Sequence, residues 1–231
     1  MVYTTGKTAG KLGENVFIPE GMVETEEGGI KAVVFDYGGV ISLPPEDTIR
    51  KEIAALAGID PGTMDSLEGQ YRKEYDRGVL SGLNFYKTIL TQAGKEPDEA
   101  TAQRMVDRDL ESWARINPAT VKLMEDIKAA GFKVGILSNM PHEFLTLARE
   151  RFPVFSLPDA GIFSCEVGAI KPEEAIYEAL FAALDRNPNE IVFVDDLRPN
   201  VEAARILGMN AFLWKDAEAA RLVFAKMGIP V

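Results

Sequence analysis

The segment Lys31-Ala-Val-Val-Phe-Asp36 constrains this chain more than any other, because an apolar, β-branched run ends abruptly in a carboxylate and two glycines, Gly38 and Gly39, follow. An uninterrupted apolar run of this length reads as a strand buried on both faces, which is the signature of a parallel sheet. The glycines allow the backbone to turn tightly just beyond the strand. The same grammar returns at Phe132 to Asn139, at Glu190-Ile-Val-Phe-Val-Asp195-Asp196 and more weakly at Asn210 to Trp214. Helical periodicity marks Ala119–Ala130, Glu173–Leu184, Val201–Leu207 and Ala217–Met227 between and after these runs. Strand alternating with helix predicts an α/β fold with a doubly wound parallel sheet.

Between Ile41 and Pro118 the pattern is helical only, with helices expected over 47–57, 63–76, 82–93 and 98–113. Glycine- and proline-bearing breaks divide them. Residues 46–117 are therefore expected to form a small all-helical domain inserted after the first strand. Residues 31–45 and 118–231 would form the sheet domain, and residues 1–30, rich in Gly and Glu, an irregular arm. An insertion at that point lies over the carboxyl ends of the strands, where open α/β sheets bind ligands.

Composition narrows the partners. A formal net charge of −11 argues against a phosphate-backbone grip on nucleic acid, which needs clustered Lys and Arg. No basic-then-apolar leader and no apolar run of membrane-spanning length is apparent, so no membrane association is expected. Cys165 is the single cysteine, which excludes an intramolecular disulfide and suits a reducing, cytoplasmic setting. Nothing in the sequence fixes the oligomeric state.

Three strand ends carry polar groups where the surrounding pattern is apolar: Asp36, Ser138-Asn139 and Asp195-Asp196. Each alone reads equally well as a helix cap or a turn. Brought to one sheet edge, the carboxylates would form an oxygen-only site of the kind that favours Mg²⁺. Lys171 precedes Pro172, read here as the first residue of a helix, and its ammonium could hold an anion near that edge or lie in solvent.

Val34-Phe35-Asp36-Tyr-Gly-Gly-Val40, Ile136-Leu-Ser-Asn139, Ser164-Cys-Glu-Val-Gly-Ala-Ile-Lys-Pro172 and Val192-Phe-Val-Asp-Asp196 with Asn200 resemble, in order and spacing, the four motifs of the haloacid dehalogenase superfamily. The resemblance covers about residues 30–231. It is nearest to the phosphatase domain of soluble epoxide hydrolases and to the glucose-1-phosphate phosphatase branch. It implies a Rossmann-like core with a helical cap and a phosphatase acting on a small phosphorylated metabolite. Asp36 would be the nucleophile, Ser138 and the amides beside Asn139 and Gly39 would hold phosphoryl oxygens, and Lys171 would offset their charge. Mg²⁺ would be held by Asp36, the Gly38 carbonyl and Asp196, with Asp195 acting through water or on Lys171, and Asn200 would support that loop.

One position departs from the pattern. Most phosphatases of the superfamily that this chain resembles carry a second Asp, the general acid and base, where this sequence has Gly38; the glucose-1-phosphate phosphatase branch resembles it in having glycine there, which favours activity. An activated leaving group, an acid supplied by the cap, or a weak or silent protein that binds a phosphorylated ligand or partner would each accommodate the glycine. A 2-haloacid dehalogenase is the nearest other enzyme, but the paired Asp195-Asp196 favours a metal and hence phosphate. Tyr37 is expected in the core, since strand alternation turns it away from Asp36. His142 could reach the pocket mouth and Arg72, Lys73 and Arg77 could meet an anionic substrate, but all four are expected on solvated faces. Phe85, Tyr86 and Trp113 are expected in the cap core, though any could line a substrate wall, and Cys165 is expected buried and unreactive.

Overall fold

The computed structural model describes residues 29–231; the arm expected over residues 1–30 falls almost wholly outside the described residues. Five parallel strands form one sheet: β1 (Ala32–Phe35), β2 (Lys133–Ser138), β3 (Ala160–Phe163), β4 (Ile191–Asp195) and β5 (Asn210–Leu213), in the order β3-β2-β1-β4-β5. β1 lies at the centre, with Phe35 level with Ile136 on one side and Val194 on the other. All four residues of β1 are fully buried, as an apolar run without alternation requires. Val33 and Phe35 nevertheless face one core, with Val134, Ile136, Val194 and Phe224, while Ala32 and Val34 face another, with Tyr177, Leu180 and Phe193.

The chain leaves β1 for β2 and β3 on one side and then crosses to β4 and β5 on the other. The order therefore reverses between β1 and β4, and the crevice at their carboxyl ends is the switch point where such sheets place ligands. Asp36 and the Asp195-Asp196 pair lie there.

Four helices separate β1 from β2: α1 (Asp47–Ala57), α2 (Pro61–Asp76), α3 (Gly82–Gln92) and α4 (Glu99–Ser112). Local chemistry sets their starts. Asp60, Ser81 and Asp98 each accept a hydrogen bond from the amide three residues on, and Pro61 occupies the first turn of α2. α1 stops at Gly58, whose φ of 59° suits a left-handed helix cap. The four helices enclose a core of their own, built from Ile49, Ile53, Phe85, Tyr86, Ile89 and Met105. The sheet is flanked by α5 (Pro118–Ala129), α6 (His142–Arg151), the single turn α7 (Ser164–Val167), α8 (Glu174–Leu184), α9 (Arg198–Ile206) and α10 (Ala217–Lys226). No helix among the described residues is long and apolar enough to cross a membrane.

Three elements were not expected, the single turn α7 among them. β3 is a short edge strand with an exposed glycine, Gly161, and α6 follows the Ser138-Asn139 motif directly. One local reading is corrected: α8 begins at Glu174, and Pro172 lies in the turn before it behind a cis Lys171–Pro172 bond.

The turn joining α2 to α3 docks on the sheet domain through polar contacts. Arg77 holds both oxygens of Glu173, at 2.6 and 2.7 Å, and the Gly168 carbonyl at 3.0 Å. The Gly82 amide donates to Glu143 at 2.7 Å. Ser164 Oγ donates to the Asp76 carbonyl and accepts from the Met140 amide at 2.8 Å. Arg77, expected in solvent, is thus a docking residue. Because Ser164 is fully buried, replacing it leaves two backbone groups unpaired. Ser164→Ala is expected to lose about 1–3 kcal/mol, read from the urea unfolding midpoint; an unchanged midpoint would show that water replaces the hydroxyl.

Candidate active site

Asp36 ends β1 and caps the turn that follows, where its Oδ1 accepts from the Tyr37 amide at 2.6 Å. The turn then needs its glycines. Gly39 has φ 70°, and a Cβ there would lie 2.6 Å from Asp196 Oδ2. Tyr37 is buried as expected, and its hydroxyl donates to the Trp113 carbonyl at 2.7 Å.

Lys171 closes the site from the third motif. Its side chain is 1% exposed, with Nζ 2.7 Å from Asp36 Oδ1 and 2.6 Å from Asp195 Oδ2, and it donates to the Leu137 carbonyl at 2.9 Å. Asn139 fixes the lysine's backbone. Its Oδ1 accepts from the Lys171 amide at 2.7 Å and its Nδ2 donates to the Lys171 carbonyl at 3.1 Å. Burial alone would drive the ammonium toward neutral amine, but Asp36 and Asp195 outweigh it and hold the lysine above its ordinary range.

Asp195 is fully buried and saturated. Oδ1 accepts from the Leu197 amide at 2.8 Å and from Asn200 at 3.0 Å, and Oδ2 accepts from Lys171 and, at 3.1 Å, from Asn200. Among the described residues, no protein donor reaches Asp36 Oδ2, and the Asp196 carboxylate has no donor beyond its own backbone amide. Ser138 is buried at the end of β2, and its hydroxyl has only a 3.5 Å contact with the Asn139 carbonyl, too long to satisfy it.

The carboxylate oxygens of Asp36, Asp195 and Asp196 lie within 4.8 Å of one another. Three carboxylates around one ammonium leave an excess of two negative charges when all are ionised. Burial, then the charges of Asp195 and Asp196, push Asp36 up to about 7 against the pull of Lys171. Burial and Asp195 also raise Asp196. An oxygen-only, doubly negative cluster fits a hard divalent cation such as Mg²⁺. The carboxylates of Asp36 and Asp196 border the cavity side of this cluster and are placed to hold it, with one oxygen of Asp36 left free.

These residues line a cavity of about 410 Å³ that also reaches the helices between β1 and β2. Asp36, Gly38, Gly39, Ser138, Asn139, Lys171, Asp196 and Asn200 all border it, whereas Asp195 lies behind Lys171. Arg72, Asp76, Asp109 and Trp113 border it too; sequence reasoning missed Asp76 and Asp109 and preferred other places for Arg72 and Trp113. Arg72 was expected in solvent; it is instead held by Asp76 at 2.8 Å and Asp109 at 3.4 Å against the Tyr75 ring. A signal existed: Asp109 continues the buried stripe Ala102, Met105 and Val106 of α4, where a charge has no reason to be unless it meets a partner. Trp113 stands over Gly38, its ring 3.2 Å from where a Cβ would be. His142 is exposed at the start of α6 and Cys165 is buried with its thiol pushed up to about 11 by burial, in keeping with their expected roles outside the chemistry.

A parallel sheet of this order with acidic groups at the switch point defines an α/β fold carrying an oxygen-rich, anionic ligand site. The family model for haloacid dehalogenase-like hydrolases matches residues 30–208, and the chain belongs to that family. A phosphatase of Mycobacterium tuberculosis is 28% identical over 198 residues, covering 80% of this chain and 87% of that one. The bifunctional epoxide hydrolase 2 of Mus musculus is 27% identical over 212 residues, or 83% of this chain and 37% of the relative. This chain therefore corresponds to little more than a third of that larger protein. In fold it is similar to a haloacid dehalogenase family enzyme from Bacteroides thetaiotaomicron crystallised with magnesium and inorganic phosphate, with a TM-score of 0.68 at 19% identity over 81% of this chain and 95% of the other.

The raised Asp36 carries a stability signature. Its proton is held to about 7 in the native state but lost near the ordinary value of about 3.9 in the unfolded chain. Ionisation of Asp36 therefore costs native stability as pH climbs from about 4 to about 7. In metal-free solution, wild type should lose stability relative to Asp36→Asn across that window, as followed by urea unfolding. A difference that does not vary with pH would show that Asp36 keeps an ordinary affinity for its proton.

Proposed function

We propose that the protein is a Mg²⁺-dependent phosphatase of small phosphorylated metabolites, with Asp36 as nucleophile and an aspartyl-phosphate intermediate. The observation that carries this reading is the position of Lys171. One buried ammonium contacts both Asp36 and Asp195, while the second oxygen of Asp36 is left free toward the cavity. The relative named as a phosphatase and the fold neighbour that holds magnesium and phosphate support the same chemistry.

Asp36 Oδ2 attacks phosphorus in line with the ester oxygen, the P–O ester bond breaks, and water then hydrolyses the acyl phosphate. Mg²⁺, held by Asp36 and Asp196 with the Gly38 carbonyl, would neutralise the carboxylates and keep the nucleophile ionised near neutral pH. Ser138 offers its unpartnered hydroxyl to a phosphoryl oxygen, and the amides beside Gly39 and Asn139 offer two more donors. Lys171 balances the charge that gathers on the equatorial oxygens. Asp195 and Asn200 hold the lysine rather than the substrate, and the Asn139 side chain holds its backbone. The four helices between β1 and β2 serve as the cap that closes over the substrate.

Turnover of p-nitrophenyl phosphate should require Mg²⁺ and fall by about 10⁴-fold or more in Asp36→Asn, as nucleophile removal does in other enzymes. Metal-dependent turnover that survives the substitution would overturn the assignment. Leaving-group protonation is the open position, because Gly38 has no side chain and Trp113 fills the space above it. Gly38→Asp combined with Trp113→Ala is expected to speed hydrolysis of alkyl phosphates over p-nitrophenyl phosphate by about 10²-fold or more, the usual worth of a general acid. An equal effect on both would show that protonation does not limit the reaction. Phosphate binding with no turnover of any ester would favour a silent, ligand-binding protein.

A further inference from the structure

The cavity has a second polar wall that the phosphate chemistry does not use. α2 and α4 contribute Arg72, Asp76 and Asp109 to it. Arg72 Nε donates to Asp76 Oδ1 at 2.8 Å and its Nη1 to Asp109 Oδ2 at 3.4 Å. The guanidinium centre stands 5.4 Å from the centre of the Tyr75 ring, which fixes its plane. The two carboxylate side chains are only 14% and 9% exposed. Among the described residues, no protein donor reaches Asp76 Oδ2 or Asp109 Oδ1. Carboxylate oxygens this sheltered need hydrogen-bond donors, and both residues line the cavity, from which a donor can reach them.

The charge on this wall decides what those donors are. Asp76 and Asp109 are matched in charge by Arg72 and by Arg50, which borders the same cavity, so the wall calls for neither a second anion nor a cation. Hydroxyl groups donate without adding charge. Trp113, Leu110 and Phe144 complete the lining with apolar surface. A body that presents C–H faces to rings and O–H groups to carboxylates matches both kinds of wall.

We infer that Asp76 and Asp109, held in place by Arg72, are specificity-determining residues that read the hydroxyl groups of a sugar or polyol monophosphate. The inference rests on the phosphatase reading for the position of the phosphate, but it concerns the part of the substrate beyond the phosphate. Arg50, exposed on α1 at the same cavity, is the one cation that could instead favour a second anion.

Matched pairs of esters test this: glycerol phosphate against propyl phosphate, and sorbitol monophosphate against hexyl phosphate. Wild type should prefer the hydroxylated member of each pair by about 10- to 100-fold in kcat/KM, the worth of one or two hydrogen bonds to a charged acceptor. Asp109→Asn and, separately, Asp76→Asn should shrink that ratio by about 10-fold or more, chiefly through KM. A wild-type ratio near one, or a ratio that neither variant changes, would overturn the inference. So would a preference for phosphoethanolamine or a sugar bisphosphate over sorbitol monophosphate. If no ester is turned over at all, the phosphatase reading fails first. Calorimetric binding of sorbitol and hexyl monophosphates to the Asp36→Asn protein with Mg²⁺ then decides separately, with equal affinities refuting the second wall's role.

Discussion

The site depends on the burial of one ammonium between two carboxylates at the end of the central strands. Lys171 reaches Asp36 on β1 and Asp195 on β4 at hydrogen-bond distance and also caps the Leu137 carbonyl of β2. A buried ion network of this kind adds little net stability against an apolar alternative, because desolvation offsets most of the attraction. What it fixes is position. Asn139 anchors the lysine's backbone and Asn200 anchors Asp195, so side chains from motifs up to about 160 residues apart converge within one crevice. The three carboxylates still exceed the one cation in charge, and that imbalance makes a divalent ion the natural complement of the site.

The turn after β1 is equally constrained, but by space rather than charge. Gly39 has no room for a side chain because Asp196 lies against it, which keeps the backbone close to the acidic cluster. Gly38 is under a milder limit, since the nearest atom to a Cβ there belongs to the Trp113 ring at 3.2 Å. Tyr37 ties the two segments together by donating to the Trp113 carbonyl. The glycine at 38 and the tryptophan at 113 are thus one packing solution, and a side chain at 38 would require the ring to move. This coupling explains why the two positions need to be changed together before proton donation can be judged.

The sheet was legible because its strands are apolar runs, and those of β1, β2 and β4 end in polar residues, whereas β5 runs on into Leu213 and Trp214 and gives a weaker signal. β3 lacks such a run, since Asp159-Ala-Gly-Ile-Phe163 is short, lies at an edge and exposes Gly161, so its pattern resembles a loop. The residues at the strand ends were legible for the same reason as the strands. Lys171 could be read only through its motif, because before a proline it might as easily have been solvated. Arg72 and Asp109 were hidden for a different reason. Their meaning lies in which helix faces meet, and no single helix pattern reveals that Arg72 on α2 is met by Asp109 on α4, thirty-seven residues away.

The helices over the cavity also meet the sheet domain at residues that belong to the chemistry's own loops. Arg77 grips Glu173, whose carboxylate accepts from the Ile170 amide at 3.1 Å, so the ion pair rests on the turn that carries Lys171. Ser164 links the carbonyl of Asp76 to the amide of Met140, the residue after Asn139. Asp76 therefore faces two ways. Its backbone is fixed to the loop that holds the lysine in place, while its carboxylate borders the same cavity as Asp36 and steadies Arg72. Any displacement of α2 would change the wall that meets the substrate's body and, through the same residue, the hydrogen bonds around the second and third motifs. In such an arrangement the fit of the distant part of a ligand and the placement of the reacting groups cannot vary independently, which is how binding energy far from a reaction centre is turned into orientation at it.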